Sequence, residues 1–200
     1  MKKTLLVLLV LASVFILAGC SEDKYEIFIR ADYPYYNSIE ELSDNSTNVI
    51  RARVVSNYAQ RLDTALRPRN AREDTGAPHA PFYQNHIVTQ IEVLEVFRGY
   101  LSVGDVVEMR QLGGTVGNRS YINPDLLNIS VNDELVLFLF SFSDSVLPYI
   151  LPNPVQSAYR FSDNAASARG RNNNVTLPSV NSDNSLSLSI NDLEALTRIN

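Results

Sequence analysis

"HIVTQIEVLEVF", residues 86–97, decides the fold. Ile87, Val88, Thr89, Ile91, Val93 and Val96 are β-branched. Such side chains are stiff at χ1 and pack well on a pleated surface. Gln90 and Glu92 alternate with Ile91 and Val93, a period of two that describes a strand with one buried face. The alternation slips between Val93 and Val96, which predicts a bulge.

The same period appears upstream in "NVIRARVVS", residues 48–56, where Arg51 and Arg53 separate Ile50, Ala52 and Val54. This is a second strand with one wet face. Residues 59–84, holding Pro68, Gly76, Pro78 and Pro81, read as a long connection between the two. Downstream, "RGYLSVGD" (98–105) turns the chain into a third strand, "VVEMRQL" (106–112), which Gly113 and Gly114 end. Asn123 followed by Pro124 predicts a helical turn over 124–128, with asparagine as cap and proline at the first helical position. "ELVLFLF" (134–140) is apolar on both faces and reads as the most buried strand. "YILPNPVQSAYRF" (149–161) is the fifth strand, held to an edge or bent by Pro152 and Pro154.

Two short helices flank these strands. Ser38 stands three residues before Glu41, the spacing of a capping box, and predicts a helix over 39–43. "SINDLEALTRI" (189–199) carries Ile190, Leu193, Leu196 and Ile199 on one stripe behind a cap at Ser189 or Asn191. Residues 162–188 are rich in Ser, Asn and Asp and read as loop or partial disorder.

Three strands, a helical turn and two strands is the element order of the OB fold, a small Greek-key barrel. The expected fold is therefore mainly β: a five-stranded OB-like barrel over residues 38–161 with short N- and C-terminal helices. "NSTNVIRARVV" (45–55) followed by "IEVLEVFRGYL" (91–101) resembles the first two strands of netrin-type domains, including tissue inhibitors of metalloproteinases. Those inhibitors present a free N-terminal cysteine to a protease zinc on a disulfide-stapled domain. This chain has one cysteine, so that chemistry does not transfer. "VLEVFRG" (93–99), "VGD" (103–105), "RQLGG" (110–114), "LVLFL" (135–139) and "NPVQ" (153–156) are similar to segments of a group of secreted and lipid-anchored bacterial proteins of no assigned activity. That resemblance implies fold and compartment only.

The chain opens with Lys2 and Lys3, then an apolar run from Leu5 to Leu17 interrupted by Ser13, the pattern of an export leader. The run is shorter than the roughly 20 residues that span a bilayer. Leu17-Ala18-Gly19-Cys20 resembles the bacterial lipobox. The resemblance implies cleavage before Cys20 and a diacylglyceryl group on its sulfur. The expected organisation is a leader over 1–19, a tether over 20–37, the barrel, the Ser/Asn-rich segment and the terminal helix. Two acyl chains anchor a protein stably, which places the domain on the extracytoplasmic side of a membrane. Lys2 and Lys3 leave with the leader, so 17 basic side chains fall to 15 against 22 acidic ones, a net of −7. That balance disfavours nucleic acid as a partner.

No residue pattern names a reaction. His79 and His86 are the only histidines, either two unrelated surface side chains or, completed by Asp or Glu, a metal site; the first reading is preferred, and no metal or cofactor is expected. "RLDTALRPRNAR" (61–72) gathers Arg61, Arg67, Arg69 and Arg72, either a phosphate-binding run or a solvated loop balanced by the "EDTG" that follows. Tyr33, Tyr35 and Tyr36 are either a sugar-stacking platform or edge packing. OB barrels bind across strands two and three and their flanking loops, which points to Gln111, Gly113, Gly114, Asn153, Gln156 and Tyr159. The expected function is non-enzymatic binding of an envelope protein, peptide or glycan. The alternatives are a wall-glycan hydrolase built on two of Glu92, Glu95 and Glu108, and a structural spacer.

Overall fold

A computed structural model of the protein describes residues 23–65, 81–142, 147–162, 167 and 175–197. Residues 1–19, expected as a leader, and Cys20, His79, Arg67, Arg69, Arg72 and Ile199 lie outside the described residues. In chain order the elements are β1 (Tyr25–Phe28), α1 (Ile39–Asp44), β2 (Asn48–Asp63), β3 (Tyr83–Arg98), β4 (Val106–Leu112), β5 (Gly114–Val116), β6 (Arg119–Ile122), β7 (Glu134–Leu139), β8 (Ala158–Arg160), β9 (Thr176–Leu177), β10 (Leu188–Ser189) and α2 (Ile190–Thr197).

The protein is mainly β. Five strands form one antiparallel sheet in the order β4-β3-β2-β7-β8. Alternation gives this sheet two apolar faces. Val49, Phe97, Val136, Phe138 and Tyr159 pack with Ile39 and Leu42 of α1 and with Ile190, Leu193 and Leu196 of α2. Ile50, Ala52, Val54, Leu135, Leu137, Leu139 and Ala158 point the other way, onto Ile91, Met109, Leu127, Ile129 and Leu151. β7 is apolar from Leu135 to Leu139 because both its faces are covered there. Burying a Leu, Val or Phe side chain contributes about 1.5–3 kcal/mol, and these two clusters hold the fold without a disulfide.

The expected bulge is present. Opposite β2, Leu94 is skipped between the pairs Arg51–Glu95 and Ala52–Val93, and two further register shifts flank it. Arg51 and Arg53 do not simply face water. Arg51 reaches Glu95 at 3.8 Å and Glu134 at 3.5 Å, and stacks 4.4 Å from the Phe161 ring centre. Arg53 reaches Glu92 and Glu134, each at 3.3 Å. Both helices begin as their sequences predict. Ser38 Oγ accepts from Glu41 N at 3.1 Å, and Ser189 N and Oγ both donate to the Asp192 carboxylate.

Four expectations are corrected. The β2–β3 arms run on to the Asp63–Tyr83 pair, so the connection between them is shorter than 59–84. No helical turn follows Asn123; its Oδ1 accepts from Asp125 N at 3.0 Å in a turn, and the preceding residues form the β5–β6 hairpin instead. The stretch expected as a tether is docked from Tyr25 on, with β1 parallel to β6 and Tyr36 in the core. The described end of the Ser/Asn-rich segment also folds: β9 pairs with β10, and Leu177 and Leu188 are buried.

A continuous ladder does not close the main sheet into a barrel. One parallel bridge, Met109–Tyr149, joins β4 to the segment that bends into β8, through Arg110 N to Tyr149 O at 2.7 Å and Tyr149 N to Glu108 O at 2.8 Å. An antiparallel bridge, Phe140–Ile150, holds the same segment beside the end of β7.

Candidate functional site

Next to that single bridge lies a cleft of about 330 Å³. β3 contributes Gln84 and His86, β4 contributes Arg110, Gln111 and Leu112, and the proline-bent segment contributes Ile150, Leu151 and Pro154. Tyr33, Thr64, Phe82 and Phe142 complete the lining. Its volume lies at the lower end of the range for small-molecule pockets, and its apolar walls with few polar groups match their usual make-up.

The polar groups are unusual in being buried without partners. Arg110 is 8% exposed, and its Nε and Nη1 have no hydrogen-bond partner. Burial pulls its basicity below the usual guanidinium range, and no neighbouring carboxylate opposes that shift. Gln111 is buried; its Oε1 accepts from Leu127 N at 2.9 Å, while its Nε2 donor has no partner. An unsatisfied buried donor costs about 1–3 kcal/mol, more for a charged group. His86 lies on β3 with Nδ1 3.2 Å from Gln84 O. A carbonyl only accepts, so Nδ1 carries the proton. Burial is the main cause that lowers the His86 pKa to about 4; the Gln84 bond opposes this and the Arg110 charge adds to it. The imidazole is neutral near pH 7. Tyr33 is held above the usual phenol range chiefly by burial, with an opposing hydrogen bond to Asn123 and a further rise from Asp125.

Of the six residues expected to bind, only Gln111 lines the cleft. Gln156 is fully buried and spans the backbone of Tyr36, accepting from its N at 3.0 Å and donating to its O at 2.9 Å. Asn153 donates to Pro34 O at 2.9 Å, and its Oδ1 caps the bend through Val155 N and Gln156 N. Tyr159 is fully buried in the core, and its hydroxyl accepts from Asn184 Nδ2 at 3.0 Å. The pKa of Tyr159 is raised to about 12, mainly by burial. These three side chains are committed to holding the domain together and are not presented to a ligand. Gly113 leads out of β4, with its N donating to Asn85 O at 3.0 Å. At Gly114, with φ of 92°, an added Cβ would lie 2.5 Å from Ile87 Cδ1, so glycine lets the β5–β6 hairpin fold back against β3.

The tyrosine cluster is divided: Tyr33 lines the cleft, Tyr36 is in the core, and Tyr35 is exposed with its hydroxyl bonded to Ser185. Arg61 stacks 4.9 Å from the ring centre of Tyr83. Glu92 and Glu95 pair with Arg53 and Arg51, and Glu108 accepts from Tyr58 Oη at 2.7 Å and Gln90 Nε2 at 3.3 Å. None of the three glutamates lines the cleft. Among the described residues no group of three or more His, Cys, Asp or Glu is placed to hold a metal, and no helix is long and apolar enough to cross a membrane.

Arg110 and Gln84 are not singled out by the sequence, and His86, expected at the surface, is buried. A polar side chain near a strand end reads as solvent-facing, whereas Tyr33, Phe82, Phe142 and the bend at Ile150–Pro154 wall these residues in. No protein-family model, curated protein or solved structure matches the chain.

Proposed function

We propose that the protein is a lipid-anchored, extracytoplasmic binding module whose five-stranded sheet is an OB-type barrel and whose cleft holds an envelope ligand without transforming it. Numbered one to five in chain order, β2, β3, β4, β7 and β8 stand in the sheet in the order 3-2-1-4-5. Joining strands three and five turns that order into a ring, and the parallel Met109–Tyr149 bridge lies where that joint belongs. OB barrels are commonly only partly closed. Attachment through Cys20 rests on the lipobox resemblance and on the leader that precedes it.

The observation that carries the binding role is the cleft's buried, partnerless donors on Arg110 and Gln111. Native folds rarely leave such groups unsatisfied, and a ligand that pairs them accounts for their retention. The placement of Glu92, Glu95 and Glu108 away from the cleft favours holding over glycan cleavage.

The test is photo-cross-linking in living cells from p-benzoylphenylalanine at Phe82, which lines the cleft, with Val103, exposed and absent from its lining, as control. A discrete adduct from position 82 and none from 103 is expected. Equal, diffuse labelling from both positions contradicts a binding role for the cleft.

A further inference from the structure

Resting on the reading that the cleft is a ligand site, we propose that it takes a small carboxylic acid with an apolar body, its carboxylate held by Arg110. Arg110 Nε and Nη1 both lack partners although the side chain is more than nine-tenths buried. A guanidinium fork matches the two oxygens of a carboxylate.

The charge count selects a monoanion. Among the described residues Arg110 is the only Lys or Arg in the lining, and no Asp or Glu is present there. A phosphate dianion would leave one negative charge unmatched in a largely apolar cleft, whereas a carboxylate is neutralised by one guanidinium. Phe82, Leu112, Phe142 and Ile150 supply apolar wall for the body of the ligand. The volume of about 330 Å³ accepts one branched or aromatic group rather than an extended chain. The same carboxylate chemistry occurs on a free small acid and at the C-terminus of a peptide.

Calorimetric titration of the lipid-free exported domain, residues 21–200, uses five probes: 4-methylpentanoate, 4-methylpentanamide, N-acetyl-leucine, N-acetyl-leucinamide and inorganic phosphate. Circular dichroism first establishes that this form is folded. The acids are expected to bind at least tenfold more tightly than their amides, and phosphate not at all. Tighter binding of 4-methylpentanoate identifies a free acid as the ligand class, and tighter binding of N-acetyl-leucine identifies a peptide end. Arg110→Met removes the acid-over-amide preference. Arg110→Lys keeps the charge without the fork and weakens the acids at least fivefold, which covers the case in which the methionine variant does not fold. Equal binding of acids and amides, binding of phosphate alone, binding of no probe, or retention of the preference in the Arg110 variants overturns the proposal. When the acids fail but cross-linking from position 82 still yields a discrete adduct, the ligand chemistry is wrong and the binding role stands. When both fail, the binding role falls with it.

Discussion

His86 carries a pH dependence that the fold imposes on a single side chain. Unfolded, its imidazole titrates near 6.5; folded, at about 4, because burial outweighs the Gln84 bond and Arg110 adds repulsion. Between those values the unfolded chain takes a proton that the folded chain refuses. The stability tied to neutral His86 is complete above pH 6.5 and is lost as pH falls toward 4. Chemical denaturation across that window should show a loss on the order of 2 kcal/mol that His86→Gln largely removes. An equal loss in the variant would place its origin elsewhere. The same burial explains why Arg110 matters: its charge lies in a wall that offers it no counter-ion among the described residues. Nothing in "VVEMRQL" distinguishes that arginine from an ordinary surface one, so the cleft was legible in the sequence as a binding site only at Gln111 and Tyr33.

Among elements, the proline-bent segment between β7 and β8 does several jobs. Its start bridges β4, its Ile150, Leu151 and Pro154 wall the cleft, and its Asn153 and Gln156 clasp residues 34–36. Gln156→Ala leaves the Tyr36 N–H and C=O buried without their partner. It is expected to destabilise the fold by about 2–4 kcal/mol, with faster hydrogen exchange at Tyr36. Unchanged stability would show that Gln156 is not a clasp. Strands whose apolar positions alternate, such as Ile50-Ala52-Val54, were readable because one face packs. The β2 arm from Asn57 to Arg61 was not, because polar side chains lie on both its faces; pairing with β3 and the bonds from Asn57 to Ile129 O and from Tyr58 to Glu108 hold it. The β5–β6 hairpin is three and four residues long, too short for a period to show. Gln156 and Tyr159 looked like surface recognition groups by residue type, but their burial depends on segments distant in sequence: residues 34–36 for one, Asn184 and α2 for the other.

Across the whole molecule, one sheet with two covered faces supports an N-terminal segment, two helices and a cleft, all without a disulfide, since the chain has a single cysteine. Residues 20–200 carry a net charge of −7, which gives no attraction to an anionic membrane surface. On the proposed reading a lipid on Cys20 supplies the attachment and leaves the domain free to meet ligands outside the membrane. Intact-mass and N-terminal peptide analysis of the protein extracted from its native membrane tests this most directly. The proposal requires a chain that begins at Cys20 with a diacylglyceryl group on its sulfur. A chain that retains residues 1–19, or an unmodified thiol at position 20, contradicts it.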